Sequence, residues 1–151
     1  MKRIALALWE LPQNVLGLSL LGLERTLGTA VGTDSQGGRL MIESKLAAVS
    51  LGHFVFWCRA RESRYFVLDD QTRAHEYGHT FQSRLLGPLY LPLVGVPSVM
   101  RVLYAIAHRE VTGRRWTRYF DGYPENWADR LGGVTRGRPG GSAADRPPNE
   151  E

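Results

Sequence analysis

Residues 70–88 read DQTRAHEYGHTFQSRLLGP, and this stretch decides the fold because its periodicity and its chemistry agree. Ala74, Gly78, Phe81 and Leu85 recur at three- and four-residue spacing, the period of a helix with one packed flank. Asp70 or Thr72 is available as an N-cap and Gly87-Pro88 closes the segment, so the spacing predicts a helix from Asp70 to Leu86. On that helix His75 and His79 stand about 40° apart around the axis, with Glu76 about 60° further round. Two imidazoles and one carboxylate therefore share a side with Thr72, Gln82, Ser83 and Leu86. Gly78 costs about 1 kcal/mol relative to alanine in a helix interior, a cost explained if another backbone comes close there.

Working outward, β-forming residues cluster upstream at Arg39 to Glu43, His53 to Cys58 and Arg64 to Leu68, the last two joined across Arg59 to Ser63 as a hairpin. Residues 28–38, rich in Gly, Thr, Ser and Asp, read as a loop. The expected class is α+β, with a small antiparallel sheet of about three strands packed on a helical core. At the start of the chain, Glu10, Pro12, Gln13 and Asn14 break the apolar run from Ile4 to Leu23. Neither a signal peptide nor a continuous span of about 20 residues is expected there. One or two short helices are expected instead, with Pro12 at a helix start. Val15, Leu16, Leu18, Leu20, Leu21 and Leu23 form a broad apolar surface that must pack on a core or on a bilayer face.

Downstream, residues 88–97 carry three prolines and read as irregular backbone. Ser98 to about Val111 reads as an apolar helix of roughly 20 Å, too short for a hydrocarbon layer of about 30 Å. Pro124 to Leu131 forms a short helix ended by Gly132-Gly133. Residues 1–134 read as one domain, and 135–151, with nothing to bury, read as a disordered tail.

A chain of 151 residues suits one domain, and 43% hydrophobic with 23% charged residues excludes collagen-like repeats and wholesale disorder. Its net charge of +4 permits contact with nucleic acid or anionic lipid without requiring it. The lone Cys58 excludes an intramolecular disulfide and any multi-thiolate site, and reads as a small buried hydrophobe. A metal must then be held by imidazole and carboxylate, a donor set that suits tetrahedral Zn2+ with one position left for water.

His75 and His79 supply two ligands, and the third must come from His53, His108, Glu110, Asp121, Glu125 or Asp129. The long metzincin pattern is excluded, because it needs a glycine at position 82 and a histidine at 85 where this chain has Gln82 and Leu85. Glu125 and Asp129 sit one turn apart on their own short helix, with Ala128 keeping it slim. Glu125 can bind the metal while Asp129 accepts the other ring N–H of a zinc histidine. His108 is the second choice for third ligand.

These residues resemble the gluzincin clan of metallopeptidases, in which H-E-x-x-H is completed by a glutamate from E-x-x-x-D on a later helix. The resemblance implies His75, His79 and Glu125 as ligands of Zn2+, Glu76 as general base and Asp129 as the carboxylate steadying a zinc histidine. The string from His75 to Tyr90 with Trp127 to Gly133 is also similar to a set of small bacterial proteins. The implied function is hydrolysis of a peptide or protein substrate by metal-activated water. Tyr123, beside Glu125, is the first candidate to donate to the oxyanion, ahead of Tyr119 and His108. The strand at Arg64 to Leu68, immediately ahead of the site helix, is a candidate for pairing with an extended peptide.

Arg101, Arg109, Arg114, Arg115 and Arg118 concentrate positive charge, interleaved with Trp116, Tyr119 and Phe120. Such a stretch suits an anionic membrane surface, and it also suits single-stranded nucleic acid. The membrane is favoured because the apolar surplus at 4–23 and 85–107 has no role in binding nucleic acid. The expected location is the cytoplasm or a peripheral membrane position. The competing functions are a non-catalytic zinc-containing interaction protein at a membrane and, behind it, a basic nucleic-acid-binding protein.

Overall fold

In the computed structural model, which describes residues 2–136, two helices lead the chain, α1 (Lys2–Trp9) and α2 (Leu11–Leu27). Strands β1 (Ala30–Gln36), β2 (Arg39–Ser44), β3 (Val49–Leu51) and β4 (Phe54–Trp57) follow, then the two-residue strands β5 (Arg61–Glu62) and β6 (Val67–Leu68). Three further helices complete it, α3 (Thr72–Leu86), α4 (Val96–Thr112) and α5 (Glu125–Gly132). The class is α+β, as expected.

The sheet is larger than the sequence implied and mixed in direction. Its order is β1-β2-β4-β3, with β2 and β4 parallel and the other pairs antiparallel. Strand β1 falls inside the segment read as a loop. Gly37 and Gly38 both take positive φ, 55° and 77°, which is the geometry of a two-residue hairpin turn matched to strand twist. Backbone pairing with β2 then needs no apolar side chains, and those of β1 stay largely exposed at the sheet edge. The hairpin expected across Arg59 to Ser63 does not form between the two longer strands. Strand β4 turns back on β3 instead, and β6 pairs only with β5 in a separate ribbon.

The sheet is sandwiched between α2 and α3. Alternation along β4 sends Phe54 and Phe56 toward α2, where Phe56, Ile42 and Leu21 form the apolar centre. Gly17 of α2 lies so close to this face that a Cβ there would sit 2.7 Å from Phe54. Met41 and Val55, also fully buried, take the opposite face toward α3, and Arg73 of α3 stacks over Trp57 on that same side. Each of these buried apolar side chains stabilises the fold by about 1.5–3 kcal/mol. Cys58 is buried beside them, as expected.

Asp69, rather than Asp70 or Thr72, organises the start of α3. Its carboxylate accepts the Gln71 backbone N–H at 3.0 Å and its carbonyl accepts the Thr72 hydroxyl at 2.7 Å. Beyond α3 the proline-rich stretch is helical rather than irregular. Pro88, Pro92 and Pro97 each lie in the first turn of a successive segment, a 3-10 turn, a π turn and α4, where a missing N–H is not needed. The helix therefore runs from Leu91 to Thr112, 22 residues and roughly 33 Å, not the 20 Å inferred from a start at Ser98. Among the described residues it is the one helix long and apolar enough to cross a membrane, and little of it is buried.

Thr135 and Arg136, assigned to the tail, are tied to the domain: Gln71 bonds Thr135, and Arg136 bridges Asp69 and Asp129. The rest of that tail, 137–151, lies outside the described residues.

Candidate metal centre

Helices α3 and α5 pack with their backbones in close approach. A Cβ on Gly78 would sit 2.0 Å from the Ala128 carbonyl oxygen, and one on Gly132 would sit 2.2 Å from the Ala74 carbonyl oxygen. The close approach inferred from Gly78 is therefore real, and Ala128, fully buried, is the small residue that permits it. This contact brings the Glu125 carboxylate, 50 residues from His75 in sequence, against both imidazoles.

Each ring is fixed at its Nδ1. His75 Nδ1–H donates to Asp129 Oδ1 at 2.6 Å and His79 Nδ1–H donates to Gln82 Oε1 at 2.6 Å. The Gln82 amide orientation follows from its NH2, which donates to the Pro124 carbonyl at 3.2 Å. With both Nδ1 positions protonated, the Nε2 lone pairs point inward, at 3.0 Å and 3.3 Å from Glu125 Oε2. Three acceptors thus meet in one place, all their ligand atoms within 4.8 Å of one another and all buried. The remaining carboxylate oxygen, Glu125 Oε1, is buried with no hydrogen-bond partner.

Acceptors cannot satisfy each other, so the cluster needs a proton or a cation between them. In the metal-free protein a proton does this. Burial disfavours the His75 cation, but bonds to Asp129 and Glu125 outweigh that and raise its pKa to about 9. Burial also opposes charge on Glu125, yet the two histidines hold its carboxyl well below the usual carboxylate range. Burial likewise opposes charge on Asp129, and His75 and Arg136 overcome it to lower that pKa. A divalent cation fits the same three donors without needing a proton.

Glu76 lies beside the cluster without sharing its contact point. Burial raises its pKa, and the Ser50 hydroxyl lies 3.0 Å from its Oε2 and 2.5 Å from its backbone oxygen. Ser50 reaches it because β3 presents that side chain toward α3, opposite Val49 and Leu51. Glu76, His79 and Glu125 floor a cleft of about 520 Å3 whose walls are mainly apolar, with Val49, Leu51, Leu91, Val96 and Tyr119 among them.

The other sequence candidates are engaged elsewhere. His108 turns its Nδ1 toward the Arg114 carbonyl at 3.1 Å, His53 is exposed beside Phe54, Glu110 binds Arg64 and Tyr65, and Asp121 binds Arg118. Tyr123 does not reach the cleft: it is half exposed, and its hydroxyl donates to the Leu93 carbonyl at 2.6 Å. Tyr119 lines the cleft instead, and burial raises its pKa. The strand edge facing the cleft is β3, not the segment Arg64 to Leu68. Gln82 was legible as a partner of His79, being three residues on along the same helix face. Ser50 and Arg136 carried no such signal.

Comparison of the chain with protein-family models, with curated proteins and with solved structures gives no match.

Proposed function

We propose that the protein is a zinc-dependent metallopeptidase, with His75, His79 and Glu125 holding the ion. The observation that carries this reading is the convergence of three buried acceptors on one point beside an orphaned carboxylate oxygen. Imidazole and carboxylate together suit zinc, and three protein donors rather than four match catalytic sites, which keep one position open. When bound, the ion supplies Lewis acidity for a water molecule and for a substrate carbonyl.

The chain's own residues do the rest. Glu76, whose pKa burial raises, accepts the proton of the attacking water and delivers it to the leaving nitrogen. The Ser50 hydroxyl sits between the Glu76 backbone carbonyl and its carboxylate, and Asp129 and Gln82 fix the two rings. Tyr119, kept protonated by burial, offers a hydroxyl on the cleft wall for the developing oxyanion, in place of Tyr123. The apolar walls exclude bulk water, which strengthens each of these interactions.

The test is the Glu76→Gln variant, assayed against a mixed peptide library with metal content measured alongside. Zinc at the wild-type level with hydrolysis reduced roughly 10²–10⁴-fold is expected. Unchanged hydrolysis removes Glu76 as the base. Absence of hydrolysis in the zinc-loaded wild type favours the non-catalytic zinc reading.

A further inference from the structure

Helix α2 is built the wrong way round for water. Gln13, Gly17, Leu21 and Glu24 form its buried face, with Gln13 and Glu24 at 0% exposure and Glu10, just ahead of the helix, at 1%. At about 100° per residue, Leu11, Val15 and Leu18 fall on the opposite side, and they are 52–62% exposed. A helix on the surface of a water-soluble domain has the reverse arrangement. Helix α4 repeats the pattern: Ala105 is its only buried residue, while Val96, Val99, Met100 and Leu103 are 54–60% exposed.

The two faces meet at one place. Leu16 of α2 and Val96, Val99 and Met100 of α4, all exposed, line the mouth of the cleft whose floor holds Glu76, His79 and Glu125. Arg109, Arg114, Arg115 and Arg118 lie at and beyond the end of α4, Arg115 paired with Glu62 and Arg118 with Asp121, while Trp116 folds back to stack on Arg101 at 4.8 Å beside the middle of the helix. The arginine surplus at the end of α4 gives that end a charge complementary to anionic lipid.

We propose that the exposed faces of α2 and α4 are embedded in the hydrocarbon of an anionic lipid bilayer, and that the metal cleft opens onto that hydrocarbon. A protein partner seated on Leu16, Val96, Val99 and Met100 would seal the cleft, whereas fluid acyl chains cover the same residues and leave it accessible. The roughly 33 Å helix from Leu91 to Thr112 is long enough to match the hydrocarbon thickness. The position of the mouth stands independently of the hydrolytic reading; only the further consequence, that a substrate enters from lipid rather than from water, rests on it.

The test uses the full chain reconstituted in vesicles of mixed phosphatidylcholine and phosphatidylglycerol. Wild-type protein is expected to float with the vesicles and to remain there after washes in high salt and alkaline carbonate. The Val99→Arg, Leu103→Arg double variant should lose more than roughly tenfold of that retention, and Val99→Leu, Leu103→Ile should keep it. A bimane label at Leu16→Cys, in a Cys58→Ala background, should be quenched by lipids brominated in their acyl chains and protected from aqueous iodide.

Release by salt or carbonate, flotation of the arginine variant at the wild-type level, or quenching by iodide instead of brominated lipid each overturns the proposal. So does a stable, detergent-free dimer whose interface protects the label. Zinc content is measured on every variant. A protein that holds zinc and fails these tests loses the lipid assignment alone, and one that passes them without binding zinc loses the metal reading alone.

Discussion

Helix α3 carries two buried polar clusters, and they solve the burial of charge in different ways. Near its C-terminal end, Arg39 forms a bidentate pair with Glu10 at 2.6 and 2.9 Å, and Ser83 donates to the same carboxylate. Gln13 adds bonds to Ser83 and to the Gly87 carbonyl. Near its N-terminal end, His75, His79 and Glu125 gather acceptors around a shared point. Although its Gln13 Oε1 and Arg39 Nε also lack hydrogen-bond partners, the first cluster contains its own counter-ion, so it joins α2, β2 and α3 without a bound ion. The second lacks one, so its stable states are a protonated imidazole or a bound cation. Neither burial nor an unpartnered polar atom alone distinguishes a structural polar cluster from a site; the presence of an internal counter-charge does.

Breaking the first cluster should have the largest effect. Arg39→Met leaves the Glu10 carboxylate buried without a counter-charge and should cost about 3–5 kcal/mol, read from denaturant unfolding. Adding Glu10→Leu to that variant should restore most of the loss. If the single variant is as stable as the double, the pair does not hold the layers together. In the second cluster the effect moves to the metal. Glu125→Ala should weaken zinc binding by more than the roughly 10–100-fold typical of losing a ligand's hydrogen-bond partner, measured by competition with a chelator. His108→Ala should leave binding unchanged, and the reverse order would reassign the third donor.

A smaller effect tests the contact that assembles the second cluster. Gly78→Ala drives a methyl group into the Ala128 carbonyl and should cost roughly 1–3 kcal/mol while also lowering zinc affinity. Gly22→Ala, with open space around it on α2, should instead be neutral or stabilise by up to about 1 kcal/mol. A further difference between the clusters lies in their response to pH. In the metal-free protein the His75 pKa is raised to about 9 from an ordinary value of 6.5. Its contribution to stability is therefore complete below about pH 6.5 and is lost as pH rises through about 9. An unfolding midpoint of metal-free protein that stays flat between these values would place the shared proton elsewhere.

Much of this was legible before any coordinates, and the failures have physical causes. The helix bearing His75, Glu76 and His79 was readable because a 3.6-residue period and a closing glycine lie within one short stretch. Glu125 was selected from six candidates on the strength of its four-residue spacing from Asp129 and its resemblance to a known pattern. Strand β1 was missed because a strand at a sheet edge is held by backbone pairing and leaves no apolar alternation, although Gly37-Gly38 was a turn signal. The helix before Ser98 was missed because prolines read as breakers until each is seen to occupy a first turn. Tyr123 was favoured over Tyr119 because it is closer to Glu125 in sequence, and proximity along the chain carries no direction for a side chain.

By itself the sequence determined the chemistry available to this protein: two imidazoles and a carboxylate on one helix, a second acid pair on another, and a surplus of apolar residues beyond what a small core can bury. These follow from residue type and helical period, which are local. The tertiary structure alone decided which acid meets the imidazoles, that Gln82 and Ser50 orient the site, and that Leu11, Leu16 and Leu18 of α2 face outward while its Gln13 and Glu24 face in. Those outcomes depend on which face of each helix wins contact with the sheet, a competition among distant segments that no local pattern records.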